Sequence, residues 1–231
     1  MKILIVTTSC DRLANDHPTG LWLEEFAVPY NDFVRAGAHI IVASPLGGPV
    51  PIDPKTEPND KQKKEWAAQL SLLHSTRRIA DVDPGDLDAV FIPGGHGPMI
   101  DLVKDGDLQS IIELLHAKVK IIAALCHGPA ALINPLNDQR EPIIAGRKIT
   151  GFSNLEEKLV FLKDVVPFLL EDKLKEKCAI YESAKLPMLP HVVRDGNIVT
   201  GQNPASSKKL AEEVIEALKI NPARLNLGKI R

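Results

Sequence analysis

Cys126 and His127 stand side by side at the end of an apolar run, Ile121-Ile122-Ala123-Ala124-Leu125, and Gly128-Pro129 follows at once. A thiol next to an imidazole is the basic equipment for nucleophilic catalysis, in which the ring takes the thiol proton and the sulfur attacks an electrophilic carbon. The run reads as a buried parallel strand that stops in a sharp turn. Ala124 and Gly128 lie two residues either side of the cysteine, the spacing a nucleophile elbow needs, because a strained strand-to-helix turn tolerates only small neighbours. The alternative is an ordinary core cysteine, a common fate of free thiols; the chain break directly after Cys-His favours catalysis. Neighbouring side chains do not face each other on a strand or a helix, so the pair can meet only if the backbone leaves both regular forms. Such strain gathers at functional sites. An imidazole beside the sulfur is expected to lower its pKa and to make Cys126 the exposed, oxidation-prone thiol of the chain. The imidazole in turn needs a third group, normally a carboxylate, to orient it.

Two other strand ends could share this edge, Thr7-Thr8-Ser9-Cys10 and Pro93-Gly94-Gly95-His96-Gly97. Parallel strands joined by right-handed crossovers bring such ends together. A Gly94-Gly95 turn exposes backbone N–H groups there, so Gly95 N–H and His127 N–H are the expected oxyanion donors; a tight turn without a ligand is the plainer reading. The glycines do not make a dinucleotide fingerprint, because Ile100 occupies the third glycine position. His17, His96 and His127 with Cys10 show no metal-ligand spacing, and no metal is expected. Cys10 reads as a bystander and Cys178, before Ala179-Ile180-Tyr181, as a core residue.

Strands and helices alternate along the chain, as in a mostly parallel sheet wrapped by helices. The strands are expected at 3–7, 39–43, 89–92, 119–125 and, short, 148–150. Thr19-Gly20 introduces a helix to about Arg35, kinked or broken near Pro29. A loop from 44 to 58 leads to a helix capped by Asn59 or Asp60 and ending near His74. Further helices are expected at 108–117, 155–162 and 168–177, with Pro167 in the first turn of the last. Asp195-Gly196 signals a hairpin between 192–193 and 198–201. An amphipathic helix over 205–218 closes the fold. One domain over 1–218, with inserts near 44–75 and 151–178, and a tail over 219–231, accounts for the pattern.

The 231 residues are 44% hydrophobic, enough for one substantial core. A formal net charge of -2 gives no electrostatic case for nucleic acid or an anionic membrane. Three cysteines without framework spacing argue against a disulfide-stapled secreted protein. With no signal-like segment before the first strand and no membrane-length apolar stretch, a cytoplasmic location is expected.

Several segments resemble the ThiJ/PfpI superfamily, with its glutamine amidotransferase-like, flavodoxin-like α/β fold. They are Ala-Ala-Leu-Cys126-His127-Gly128-Pro129, Ile92-Pro93-Gly94-Gly95-His96-Gly97, Thr19-Gly20-Leu-Trp-Leu-Glu24-Glu25 with Pro29, Ile149-Thr150-Gly151-Phe152, and Val199-Thr200-Gly201-Gln202-Asn203-Pro204-Ala205-Ser206. The last two favour the heat-shock-type branch that contains glutathione-independent glyoxalases (glyoxalase III), and the resemblance extends to about residue 218. It implies Cys126 as nucleophile, His127 beside it, an acid four residues before the helix proline, Glu25, hydrogen-bonded to the sulfur, and a carboxylate after Thr-Gly-Phe, Glu157, orienting the histidine. Glu24 and Glu156 are the competitors. The implied activity is cofactor-free conversion of methylglyoxal or a related 2-oxoaldehyde to the hydroxy acid. Hydrolysis by the same cysteine (amidase, peptidase or deglycase) and a stress-related holding chaperone are the rival activities. The resemblance also implies a homodimer.

Overall fold

The computed structural model describes residues 1–220. Its centre is a seven-stranded sheet in the order β3-β2-β1-β4-β5-β9-β8. The strands are β1 (Lys2–Val6), β2 (His39–Ser44), β3 (Arg77–Arg78), β4 (Ala89–Ile92), β5 (Ile121–Leu125), β8 (Val192–Asp195) and β9 (Ile198–Gly201). All neighbours pair in parallel except β8 and β9, the hairpin that Asp195-Gly196 closes. Two short strands, β6 (Lys148–Ile149) and β7 (Ile180–Tyr181), form a separate parallel pair. The helices are α1 (Leu23–Arg35), α2 (Asp60–Glu65), α3 (Ala67–Leu73), α4 (Gly106–Ala117), α5 (Asn154–Leu159), α6 (Leu170–Glu176) and α7 (Ser207–Ile220).

β1, β4 and β5 are the middle of the core, and nearly every side chain on them is fully buried. That explains their continuous apolar runs, since helices cover both faces of a parallel sheet. The order reverses between β1 and β4, so the carboxyl ends of β1, β4 and β5 border the crevice where open α/β sheets hold ligands.

Several boundaries differ from the sequence reading. The strand expected from Val119 begins at Ile121, because Val119 turns with φ 53° after α4. The helix expected from Thr19-Gly20 starts at Leu23 and continues through Pro29. Asn59 caps α2 with a capping box to Gln62, and Trp66 separates α2 from α3. Pro167 precedes α6 rather than opening it. The strand at 148–150 stands outside the main sheet. Cys178 is exposed, not core: it takes φ 62° where the chain leaves α6, and Ala179 is the residue buried there. α7 runs to Ile220; the rest of the expected tail lies outside the described residues. Among the described residues, no helix is long and apolar enough to cross a membrane.

Candidate active site

β5 delivers Cys126 in the left-handed region, at φ 60°. The backbone is held there from both sides, since Cys126 N–H donates to Gly201 O at 2.9 Å and Phe152 N–H donates to Cys126 O at 2.9 Å. Anchored strain of this kind, costing about 1–3 kcal/mol, survives only where the surroundings fix it. The strain solves the difficulty of adjacent side chains: His127 Nδ1 lies 3.3 Å from Cys126 Sγ.

The other ring nitrogen, His127 Nε2, is 2.7 Å from Glu157 Oε2. Oε1 of the same carboxylate is 2.9 Å from His96 Nε2. The two imidazole rings are 4.0 Å apart, and Phe152 packs 4.5 Å from His127. Burial alone would raise Glu157, but the hydrogen bonds and charge of His127 and His96 hold it well below the usual carboxylate range. His96 is pulled down to about 4 by burial and by His127, against Glu157. From the sequence, His96 is placed in a strand-end turn and weighed as a metal ligand, but given no catalytic role. Its place in Gly94-Gly95-His96-Gly97, at the same sheet edge as Cys126, is the signal that could have found it.

Glu157, not Glu156, faces the imidazoles because a capping box claims its neighbour. Ser153 Oγ accepts from Glu156 N–H at 3.2 Å, and Glu156 Oε2 takes Ser153 N–H and Oγ, both at 2.9 Å. Glu156 is thereby turned back over the helix start, and the next residue points elsewhere.

Glu25, not Glu24, faces the sulfur; Glu24 is exposed and Glu25 fully buried. Glu25 Oε2 accepts Gly94 N–H at 2.7 Å. Oε1 has no other hydrogen-bond partner among the described residues, and the carboxyl lies against Cys126. Burial pushes Glu25 up to about 8, despite the Gly94 and Cys126 hydrogen bonds. It therefore carries a proton at neutral pH.

The expected low pKa of Cys126 does not survive. The thiol is 3% exposed, and burial, reinforced by Glu25, drives it well above the ordinary thiol range. Gly95 N–H, directed at the sulfur, opposes this. Cys126 is thus neither exposed nor readily ionised, and desolvation is the cause.

The two glycines are required by space and angle. A Cβ on Gly94 would stand 2.8 Å from Cys126 Cβ, from Glu25 Oε2 and from His127 N. Gly95 has φ 90°, and a Cβ there would be 2.0 Å from Gly20 O. Cys10 lies apart, its Sγ donating to Arg12 O at 3.1 Å. His96 and His127 group with Glu157 rather than with His17 or Cys10; the three ligand atoms lie within 4.8 Å of one another. Both histidines already bond this carboxylate directly.

Gly95, His96, Cys126 and His127 floor a cavity of about 90 Å³, walled by Trp22, Asp53, Lys55, Phe152, Val160, Met188 and Pro204. A parallel α/β sheet with a strained cysteine after a central strand, backed by an imidazole and two buried acids, defines a cysteine-elbow protein. The comparisons agree: the chain belongs to the DJ-1/PfpI family, whose model matches residues 19–217. It is similar to Glyoxalase 3 of Candida albicans, with 32% identity over 96% of this chain and 100% of that protein. The crystal structure of glyoxalase III from Candida albicans matches with a TM-score of 0.86 and 30% identity, covering 96% of this chain and 98% of that one. The Rapid Encystment Protein 24 KDa of Francisella tularensis matches with a TM-score of 0.89 and 38% identity, covering 94% and 98%.

Proposed function

We propose that this protein is a glutathione-independent glyoxalase, converting methylglyoxal or a similarly small 2-oxoaldehyde to the 2-hydroxy acid at Cys126. The observation that carries the reading is the fully buried Glu25 carboxyl, held by Gly94 N–H, beside a thiol whose other neighbour is an oriented imidazole. Glu157 accepts Nε2–H of His127, which leaves Nδ1 free to receive the thiol proton.

Sγ attacks the aldehyde carbon as its proton passes to His127 Nδ1. The oxygen, received by the N–H groups of Gly95 and His127, takes a proton from Glu25, giving the hemithioacetal. Glu25, now a carboxylate, removes the carbon-bound proton while His127 protonates the ketone oxygen, giving an enediol. Glu25 returns that proton to the second carbon and His127 takes one from the first oxygen, giving the lactoyl thioester. Water then cleaves the C–S bond: its hydroxyl joins the acyl carbon, its proton goes to Glu25, and His127 returns a proton to sulfur. One carbon is oxidised and its neighbour reduced within the same molecule, so the balance needs no external redox partner.

The cavity volume favours this over peptide hydrolysis. Pockets for drug-sized ligands occupy about 300–1,000 Å³, several times this space. The test is lactate formation from methylglyoxal by dialysed protein without glutathione, beside an assay on aminopeptidase substrates. Intact methylglyoxal alongside peptide cleavage would reverse the assignment. A homodimer in the cytoplasm accompanies the proposal; size-exclusion with light scattering checks the first part.

A further inference from the structure

Residues 182–191, between β7 and β8, form a strap without regular structure, and one of them, Met188, lines the cavity. Side chains, not strand pairing, fasten most of it. Ala184 N–H donates to Gln202 Oε1 at 2.7 Å, Asn203 Nδ2 donates to Leu189 O at 2.9 Å, and His191 N–H donates to Ser206 Oγ at 3.0 Å. At its centre, Met188 N–H donates to Glu156 Oε1 at 2.8 Å, and Asn203 Nδ2 reaches the same oxygen at 2.8 Å. Glu156 is fully buried, and its other oxygen holds the start of α5. One buried carboxylate therefore ties the strap to the helix that carries Glu157.

Met188 is the strap residue that walls the cavity. Its backbone sits at φ 61°, a left-handed conformation that L side chains rarely adopt. The Glu156 bond to its amide holds that conformation, and the side chain, 40% exposed, lines the Cys126 pocket.

We propose that Met188 is the size-determining residue of the site and that Glu156 is the positioning residue that sets it. Met188 restricts the site to 2-oxoaldehydes with a methyl-sized substituent and excludes aryl ones. The substrate class rests on the glyoxalase reading; the steric role of Met188 does not.

Alkylation of Cys126 by a small reagent, iodoacetamide, and a bulky aromatic one, N-phenylmaleimide, tests it without turnover. Mass spectrometry distinguishes Cys126 from Cys10 and Cys178. Met188→Ala is expected to raise the bulky-to-small rate ratio at Cys126 by about tenfold, the low end of what one methylene changes in a pocket. Glu156→Gln, which leaves donor facing donor, raises it in the same direction, as does Asn203→Ala, which keeps the charge should Glu156→Gln fail to fold. A ratio unchanged in Met188→Ala overturns the size role; a ratio raised there but unchanged in both other variants overturns the positioning role. Turnover of phenylglyoxal relative to methylglyoxal should rise in parallel. Absence of lactate from methylglyoxal and of mandelate from phenylglyoxal, with the alkylation result intact, would sink the glyoxalase reading alone.

Discussion

His127 reaches back to its own chain neighbour: Nδ1 lies 3.3 Å from Cys126 Sγ. No regular backbone allows that contact, and the φ of 60° at Cys126 provides it. The same ring spans to Glu157, so a single imidazole is oriented by an acid on one side and serves a thiol on the other.

Glu25 cycles a proton in the proposed reaction, and Glu24 touches nothing in the site. Glu25→Gln keeps the volume and the acceptor for Gly94 N–H but cannot exchange a proton. Its kcat for lactate formation is expected to fall by about 10²–10⁴-fold, while Glu24→Gln retains wild-type turnover. Steady-state assays with circular dichroism on each variant check this.

The pH dependence follows from the same carboxyl. Glu25 titrates near 8 in the folded protein, so kcat/KM for methylglyoxal should decline as pH rises through that value. Stability moves the same way. A carboxyl whose folded pKa is raised contributes fully below its unfolded pKa, and the contribution is lost as pH climbs to the folded value, by about 1.4 kcal/mol per unit. The lost increment spans 4.5 to about 8. Urea unfolding of wild type and Glu25→Gln across that window should show the variant gaining on wild type with rising pH. Parallel curves would contradict the buried-acid assignment.

Gly94→Ala drives a methyl into Cys126, Glu25 and His127 at once. Overpacking of that kind costs about 1–3 kcal/mol, and here it also displaces the reacting groups. Thermal unfolding should shift down, and lactate formation should fall further than the stability loss accounts for.

His96 holds the second oxygen of Glu157, so it positions the carboxylate that orients His127. His96→Ala is expected to lower kcat by about 10–100-fold, the range seen for partners that orient a functional ligand. KM should change less, and His96→Gln should recover part of the loss. A raised KM with kcat little changed, without rescue, would reduce His96 to a wall of the pocket.

The central strands were legible because parallel strands buried on both faces write themselves as unbroken apolar runs, and β4 and β5 end at Ile92 and Leu125, directly before Pro93 and the Cys126 turn. The choice between Glu156 and Glu157 was also written, though less openly. Ser153-Asn154-Leu155-Glu156 is a capping-box spelling that assigns Glu156 to the helix start and frees Glu157. For Glu24 and Glu25 periodicity does not choose, since both have apolar helical neighbours; the structure does, burying Glu25 with Pro29 and Phe33 and leaving Glu24, Val28 and Asp32 less buried. The thiol pKa was not legible, because its direction depends on how completely the fold dries the sulfur. Nor was Met188: the strap that places it is held by side chains distant in sequence, and no period or turn signal encodes them.

Lactate formation from methylglyoxal by wild type and by Cys126→Ala, each without added thiol, tests the chemistry at its root. The wild type should form lactate in step with methylglyoxal loss, and the alanine variant, equally folded, should do no better than buffer. Substantial turnover by Cys126→Ala would contradict covalent catalysis at this sulfur.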